Sequence, residues 1–267
     1  MVRVSKVVAA VAILGAAGCY RAAPAPAPSA AMGLVVLPPD YDPSRAYPVV
    51  ELLPPTGNTA GTLFQIYLSR VGLGRLYRDP PERQLAALLP YLVPDRGEGA
   101  PRFLVILASG RGSTDDYHTA AAWSRTIARY ERQVRADLRA LAARHRVDTT
   151  RFVVAGFSMG GDLAWALALR NPGLLRGAIV MASRASYRPL EGDPGTAALR
   201  KSRLFLTMGA ADDGTRRRMA RAAAELLEGA GVPYRFRMIE GAGHEPAPIP
   251  TFAQALRFVL RLDGAGE

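Results

Sequence analysis

Ser158 stands in Gly156-Phe157-Ser158-Met159-Gly160-Gly161, between the apolar run Phe152-Val153-Val154-Ala155 and a helical pattern that begins near Asp162. A serine hydroxyl becomes a working nucleophile when a base takes its proton and a carboxylate orients the resulting imidazolium. A strand that turns sharply into a helix can hold such a hydroxyl at its apex. The residues two positions either side must then lack a Cβ, and Gly156 and Gly160 do. The pattern alone is weak, since a glycine-rich turn with a solvated serine fits it equally well. Its surroundings decide.

Three histidines are available. His145 ends an amphipathic segment between Arg144 and Arg146 and reads as a surface residue. His118 follows an apolar strand in Asp115-Asp116-Tyr117-His118. His244 lies in Gly241-Ala242-Gly243-His244-Glu245-Pro246, after a strand ending at Ile239 and before the last helix. That is the place of the base when the chain order is serine, acid, histidine. The acid then belongs after the preceding strand, where Gly209-Ala210-Ala211-Asp212-Asp213-Gly214 offers two carboxylates. Asp212 is the choice and Asp213 the fallback. An aspartate there also suits a helix start, so one can cap while the other orients His244.

An oxyanion formed by acyl attack needs two N–H donors. Met159, at the start of the helix after Ser158, supplies one. Pro54 and Pro55 have no N–H, so Thr56 is the second donor and Gly57 the reserve. Tyr117, His118 and Trp123, in the loop Ser109–Trp123, are candidate pocket walls, with helix-cap and surface roles as the competing reading of its polar residues. Asp162 is expected to pack or cap within its own helix. No metal or cofactor is implied.

The elements that must position these groups alternate strand and helix. Strands are expected at Gly33–Leu37, Tyr47–Leu53, Phe103–Leu107, Phe152–Ala155, Gly177–Met181, Leu204–Met208 and Tyr234–Ile239. Helices are expected at Thr126–Arg146, Leu163–Leu169, Thr215–Leu227 and Phe252–Leu262. The alternation predicts an α/β fold with a mostly parallel twisted sheet, helices on both faces and the site at the carboxyl ends of the strands. Residues 59–100 exceed an ordinary connection and are expected to form helices over the mouth of the site. Glu51 inside an apolar strand is an oddity, because burial of an unpaired carboxylate is costly.

Residues 1–18 read as an export signal, with Arg3 and Lys6 before the short apolar core Val7–Leu14. Ala16-Ala17-Gly18 precedes Cys19, the only cysteine. This looks like a bacterial lipobox with Cys19 as the acylated residue, although leucine is more usual where Ala16 stands. An ordinary secretory signal is the alternative. Ala/Pro-rich residues 19–31 form a spacer, and 32–267 a single catalytic domain. The expected location is the cell envelope, facing the periplasm or in the outer membrane, held by lipid alone. Tyr20 in place of aspartate favours outer-membrane sorting, by analogy with enteric bacteria.

The net charge of +11 becomes +9 once residues 1–18 and their two cations are removed. The basic residues are nearly all arginine, as GC-rich coding would give, and form no stripe interleaved with aromatics, which argues against a nucleic-acid partner. One cysteine excludes a disulfide framework.

Four motifs together resemble the α/β-hydrolase esterases: Tyr47-Pro48-Val49-Val50, Val147-Asp148…Arg151-Phe152-Val153 running into Gly-Phe-Ser-Met-Gly-Gly, Gly209…Asp212, and Gly-Ala-Gly-His-Glu. The chain is similar there to secreted polyhydroxyalkanoate depolymerases, feruloyl esterases and carboxylesterase/phospholipase-type enzymes, over about Leu34 to Leu262. The resemblance implies a Ser158–Asp212–His244 triad, with Met159 and Thr56 as the oxyanion hole. Its departure is Pro54-Pro55, where the family usually carries His-Gly. The expected activity is hydrolysis of a small-molecule or polymer ester through an acyl-enzyme. A peptidase or amidase of the same fold, and a non-catalytic binding lipoprotein, are the alternatives. These residues specify no oligomeric state.

Overall fold

A computed structural model describes residues 32–93, 102–188 and 198–262. The expected leader, Cys19 and the spacer lie outside the described residues, as does the end of segment 59–100. Seven strands form one sheet: β1 (Leu34–Val36), β2 (Tyr47–Leu53), β3 (Leu104–Leu107), β4 (Val147–Phe157), β5 (Gly177–Met181), β6 (Arg203–Gly209) and β7 (Tyr234–Ile239). Their order is β1-β3-β2-β4-β5-β6-β7, with β1 antiparallel to β3 and every other pairing parallel. The α/β sheet expected from the alternating pattern is therefore present.

Among the described residues six helices cover it: α1 (Thr62–Arg70), α2 (Pro81–Leu92), α3 (Ala120–Ala142), α4 (Met159–Arg170), α5 (Gly214–Gly229) and α6 (Ile249–Leu260). The core lies in two layers. Val49 and Leu53 of β2 and Phe152 and Val154 of β4 face α3, α4 and α5. Val50, Leu52, Val153 and Ala155, one residue out of phase, face α1, α2 and α6. This is the period-two alternation of a strand, applied to a sheet buried on both faces. Helix α4 is buried from Met159 to Leu169, which accounts for its apolar character on all sides.

The long helix α3 starts and ends earlier than the amphipathic pattern suggests. Its first turn is Ala-Ala-Ala, which carries no periodic signal, and the Thr119 hydroxyl caps it by accepting from Ala122 N at 3.0 Å. At the other end the Arg146 carbonyl is taken by the Tyr47 N–H at 3.1 Å, so 146 belongs to the approach to β4. His145 is half-buried, not a surface residue. Its Nδ1 lies 2.8 Å from the Tyr41 hydroxyl.

Glu51 is wholly buried on the α3 face, and neither of its oxygens has a hydrogen-bond partner among the described residues. Burial holds its carboxyl well above the usual range, and the neighbouring Asp137 pushes it further. Asp137 is itself raised by burial, although it accepts the Gly33 N–H at 3.0 Å. Adjacent buried carboxyls of this kind favour a neutral Glu51 over two charges side by side.

Candidate active site

Ser158 sits between β4 and α4 with φ 58° and ψ −122°, a conformation that non-glycine residues rarely adopt. Its N–H donates to the Met181 carbonyl of β5 at 3.0 Å, and its own carbonyl accepts from Asp162 N at 2.9 Å to open the helix. The turn closes because its flanks are bare. A Cβ on Gly156 would lie 2.2 Å from the Gly160 backbone, and one on Gly160 would lie 2.5 Å from the Leu53 carbonyl oxygen.

His244 follows β7 and reaches over to this apex. Its Nδ1 is 2.9 Å from Asp212 Oδ2, and its Nε2 is 3.0 Å from Ser158 Oγ. With Nδ1–H donating to the carboxylate, Nε2 offers its lone pair to the serine hydroxyl. The Phe157 ring lies against the imidazole, 5.1 Å between centroids. Asp212 follows β6 and is buried, with its second oxygen accepting the Asp213 N–H at 2.7 Å. Gly209 allows the two loops to meet, since a Cβ there would stand 2.2 Å from the Gly243 carbonyl oxygen.

Asp213, the fallback acid, points away and caps α5. Its carboxylate accepts from Thr215 N and Arg216 N, and the Arg216 bond chiefly holds its pKa below the usual aspartate value.

The loop after β2 lies beside the apex, where Gly160 packs against the end of that strand. Pro54 and Pro55 give no N–H, and Gly57 donates its own to the Gly112 carbonyl at 2.8 Å, which removes it as the reserve donor. Thr56 is left. Met159 is the first residue of α4, where an N–H has no carbonyl one turn back to bond.

The candidate pocket residues separate. The Tyr117 hydroxyl is 3.2 Å from Thr56 Oγ1, and Tyr117 and Trp123 line a small cavity of about 150 Å³ with Asp162 and Arg184. His118 instead faces solvent beside Asp115, 3.4 Å away. Asp162 stays in the first turn of α4, but its side chain bonds outside that helix, contrary to expectation: its Oδ1 accepts from the Ser183 hydroxyl at 2.6 Å and from Arg184 N at 2.8 Å, pinning the loop after β5. Burial chiefly raises its pKa. Ala182 and Ala185 in that loop both have φ 46°, so the carboxylate sustains an unfavourable backbone path.

Sequence reading missed Arg70 altogether. From the end of α1 it donates to the Pro246 and Ala247 carbonyls, each at 2.9 Å, and pairs with Glu245 at 2.5 Å. In so arginine-rich a chain nothing in the residue pattern singles it out.

A family model describing dienelactone hydrolases matches residues 102–247, more than half of the chain and the span that carries Ser158, Asp212 and His244. The chain belongs to the dienelactone hydrolase family. It is therefore a hydrolase, and its sheet is that of the α/β-hydrolase fold. No curated protein sequence matches it.

Solved structures agree on the fold. A ferulic acid esterase superposes with TM-score 0.56 at 20% identity, covering 85% of this chain and 91% of that one. A CE1 ferulic acid esterase from Anaeromyces mucronatus, in complex with ferulic acid, gives 0.55 at 14%, covering 85% and 82%. A putative dipeptidyl aminopeptidase IV from Bacteroides ovatus also gives 0.55 at 14%, with 85% of this chain covering 33% of that longer one. At such identities the likeness is one of fold, which serves both esters and peptides.

In this dienelactone hydrolase family member a cleft of about 530 Å³ opens beside His244. Thr62, Gln65 and Ser69 line it from successive turns of α1, facing Tyr77 and Phe157. The expected helices of segment 59–100 thus form, and α1 walls the cleft.

Proposed function

We propose that the chain is a serine hydrolase of carboxylic esters, exported as a lipoprotein and acting through an acyl-enzyme. One observation carries the reading: His244 bridges Ser158 and Asp212 by two hydrogen bonds at 3.0 and 2.9 Å, on loops from three strands of one sheet. The geometry suits general-base activation of a hydroxyl, for which heavy-atom separations of roughly 2.6–3.2 Å are needed.

In this reading Ser158 Oγ attacks the ester carbonyl carbon as its proton passes to His244 Nε2. The oxygen of the tetrahedral intermediate accepts from the N–H groups of Met159 and Thr56. Asp212 stabilises the imidazolium through Nδ1. Collapse breaks the bond to the leaving alkoxide, which takes the proton from Nε2 and departs as the alcohol. Water, deprotonated by the same histidine, then attacks the acyl-serine and frees the acid. The strained apex supports this role, since unfavourable backbone in a tightly determined setting is often found at reacting groups.

Export and anchoring rest on Arg3 and Lys6 before the apolar run and on Ala16-Ala17-Gly18 before Cys19. Labelled fatty acid should enter the chain in a lipoprotein-processing host and fail to enter Cys19→Ala.

The decisive experiment is fluorophosphonate labelling beside hydrolysis of p-nitrophenyl acetate. The wild type should label at Ser158 and turn over, while Ser158→Ala should do neither and keep its circular dichroism and melting temperature. Turnover that survives the substitution would refute the assignment.

A further inference from the structure

Two clefts lie side by side, the first lined by His244 and the second by its neighbour in sequence, Glu245. The first is the 530 Å³ cleft walled by α1. The second, about 520 Å³, lies among α1, α2 and α6 and is lined by Val71, Tyr91, Pro248, Ile249 and Pro250. Both have Arg70 and Glu245 in their walls, and these two residues are ion-paired. The pair thus forms the sill between one space and the next.

Beyond that sill the wall carries fewer polar side chains, whereas the first cleft mixes polar groups with Ile66, Tyr77, Phe157 and Pro246. On the near side the α1 wall presents the hydroxyls of Thr62 and Ser69 and the amide of Gln65. On the far side the side chains are hydrocarbon except for the Tyr91 hydroxyl. Exposed large hydrophobic side chains are few: among the described residues they are Met32, Leu34, Tyr77 and Tyr91. Two of these four line the clefts, Tyr77 (38% exposed) in the first and Tyr91 (44%) in the second. Aromatic side chains left wet in a concave surface offer large, rigid contact area to a ligand.

We propose that the second cleft is a subsite for an extended apolar arm of the substrate, which crosses the Arg70–Glu245 sill and lies against Tyr91. The inference rests on the ester-hydrolase reading above and specifies its substrate class: esters with a long hydrocarbon or aryl arm. A short ester fills the first cleft alone and leaves the second hydrated. A long one removes that apolar wall from water, and this binding energy is available to the transition state.

The arm can be the acyl chain or the alcohol, and two series of esters separate them. In one, kcat/KM is measured for p-nitrophenyl acetate, hexanoate and decanoate; in the other, for acetate esters of ethanol, hexanol and decanol. In the wild type one series should rise with length, and that series identifies the arm. Tyr91→Ala should lower the long-to-short ratio in it by roughly tenfold. Tyr91→Asp, which places a charge in the apolar cleft, should lower it further. Leu34→Ser, an exposed apolar site on β1 away from both clefts, should leave the ratio unchanged. The subsite is overturned if neither series responds to length, or if the Tyr91 variants keep the wild-type ratio in both. Ser158→Ala measured in parallel separates the two failures. If it is inactive while the Tyr91 variants keep the wild-type ratio, only the subsite falls. If it remains active, the ester-hydrolase reading falls as well.

Discussion

Arg70 and Glu245 lie 2.5 Å apart, one at the end of α1 and the other next in sequence to the histidine that touches Ser158. Both side chains are partly exposed, so the ion pair itself contributes little to stability. The two carbonyl bonds from the same guanidinium, to Pro246 and Ala247, hold the backbone that carries the imidazole. Arg70→Ala should therefore lower kcat on p-nitrophenyl acetate by about tenfold, with a smaller change in KM, because small displacements of a reacting group are costly. Guanidinium ion at a non-denaturing concentration should restore part of the loss, and Arg70→Lys should retain part of the activity. An unaltered kcat would show that the histidine loop stands without the clamp.

Asp212 and Asp213 are adjacent in sequence and opposite in duty. Asp212→Asn should reduce kcat by about ten-thousand-fold with the melting temperature nearly kept, as expected when a histidine loses its orienting charge. Asp213→Ala removes an N-cap and should lower the melting temperature slightly, with kcat close to wild type. Steady-state kinetics and thermal melts of the two variants, read together, check both halves.

Gly160 tolerates no side chain. A methyl group there would need to share space with the Leu53 carbonyl oxygen at 2.5 Å, so either the apex or β2 must move. Gly160→Ala should abolish fluorophosphonate labelling and lower the melting temperature by several degrees, a shift that corresponds to roughly 2 kcal/mol or more in a domain of this size.

Glu51 gives stability a pH dependence. Its pKa is raised in the folded state above the ordinary 4.5, chiefly by burial and then by Asp137. The folded protein thus holds a proton that the unfolded chain releases. Stability from this group is complete below pH 4.5 and declines as pH rises toward and through the folded-state value. Glu51→Gln, which cannot ionise, should raise the melting temperature by a few degrees at about pH 8 and change it much less at about pH 4. Melts across that range decide the point. Equal shifts at both ends would exclude the titration as the cause.

Much of the architecture is legible in the chain because its strands announce themselves. Tyr47–Leu53, Gly177–Met181 and Tyr234–Ile239 lie in the structure at the bounds their residue patterns suggest. The first two are buried on both faces, while β7 alternates exposed Arg235 and Arg237 with half-buried neighbours. Proline and glycine mark their ends. The Ser158, Asp212 and His244 positions are legible for a related reason, since each follows a strand in a loop rich in small residues.

What the chain conceals are contacts between segments far apart. Asp162 is the first-turn helix residue it looks like, and its carboxylate also anchors the loop at Ser183 and Arg184. Glu51 looks like an error in a strand until α3 brings Asp137 beside it. Arg70 acts across the interval to Pro246 and Ala247, and no local periodicity encodes such a reach. His118 is misleading in the other direction. Its neighbours Tyr117 and Trp123 turn inward, whereas it remains with Asp115 in solvent.

The positive φ of the apex residue restricts which atoms can ever occupy that corner. A side chain branched at Cβ, such as threonine, would meet the main chain there, whereas the unbranched thiol of cysteine would not. The backbone thus confines any nucleophile at position 158 to side chains with a plain methylene at Cβ, which admits serine, cysteine and aspartate and shuts out threonine.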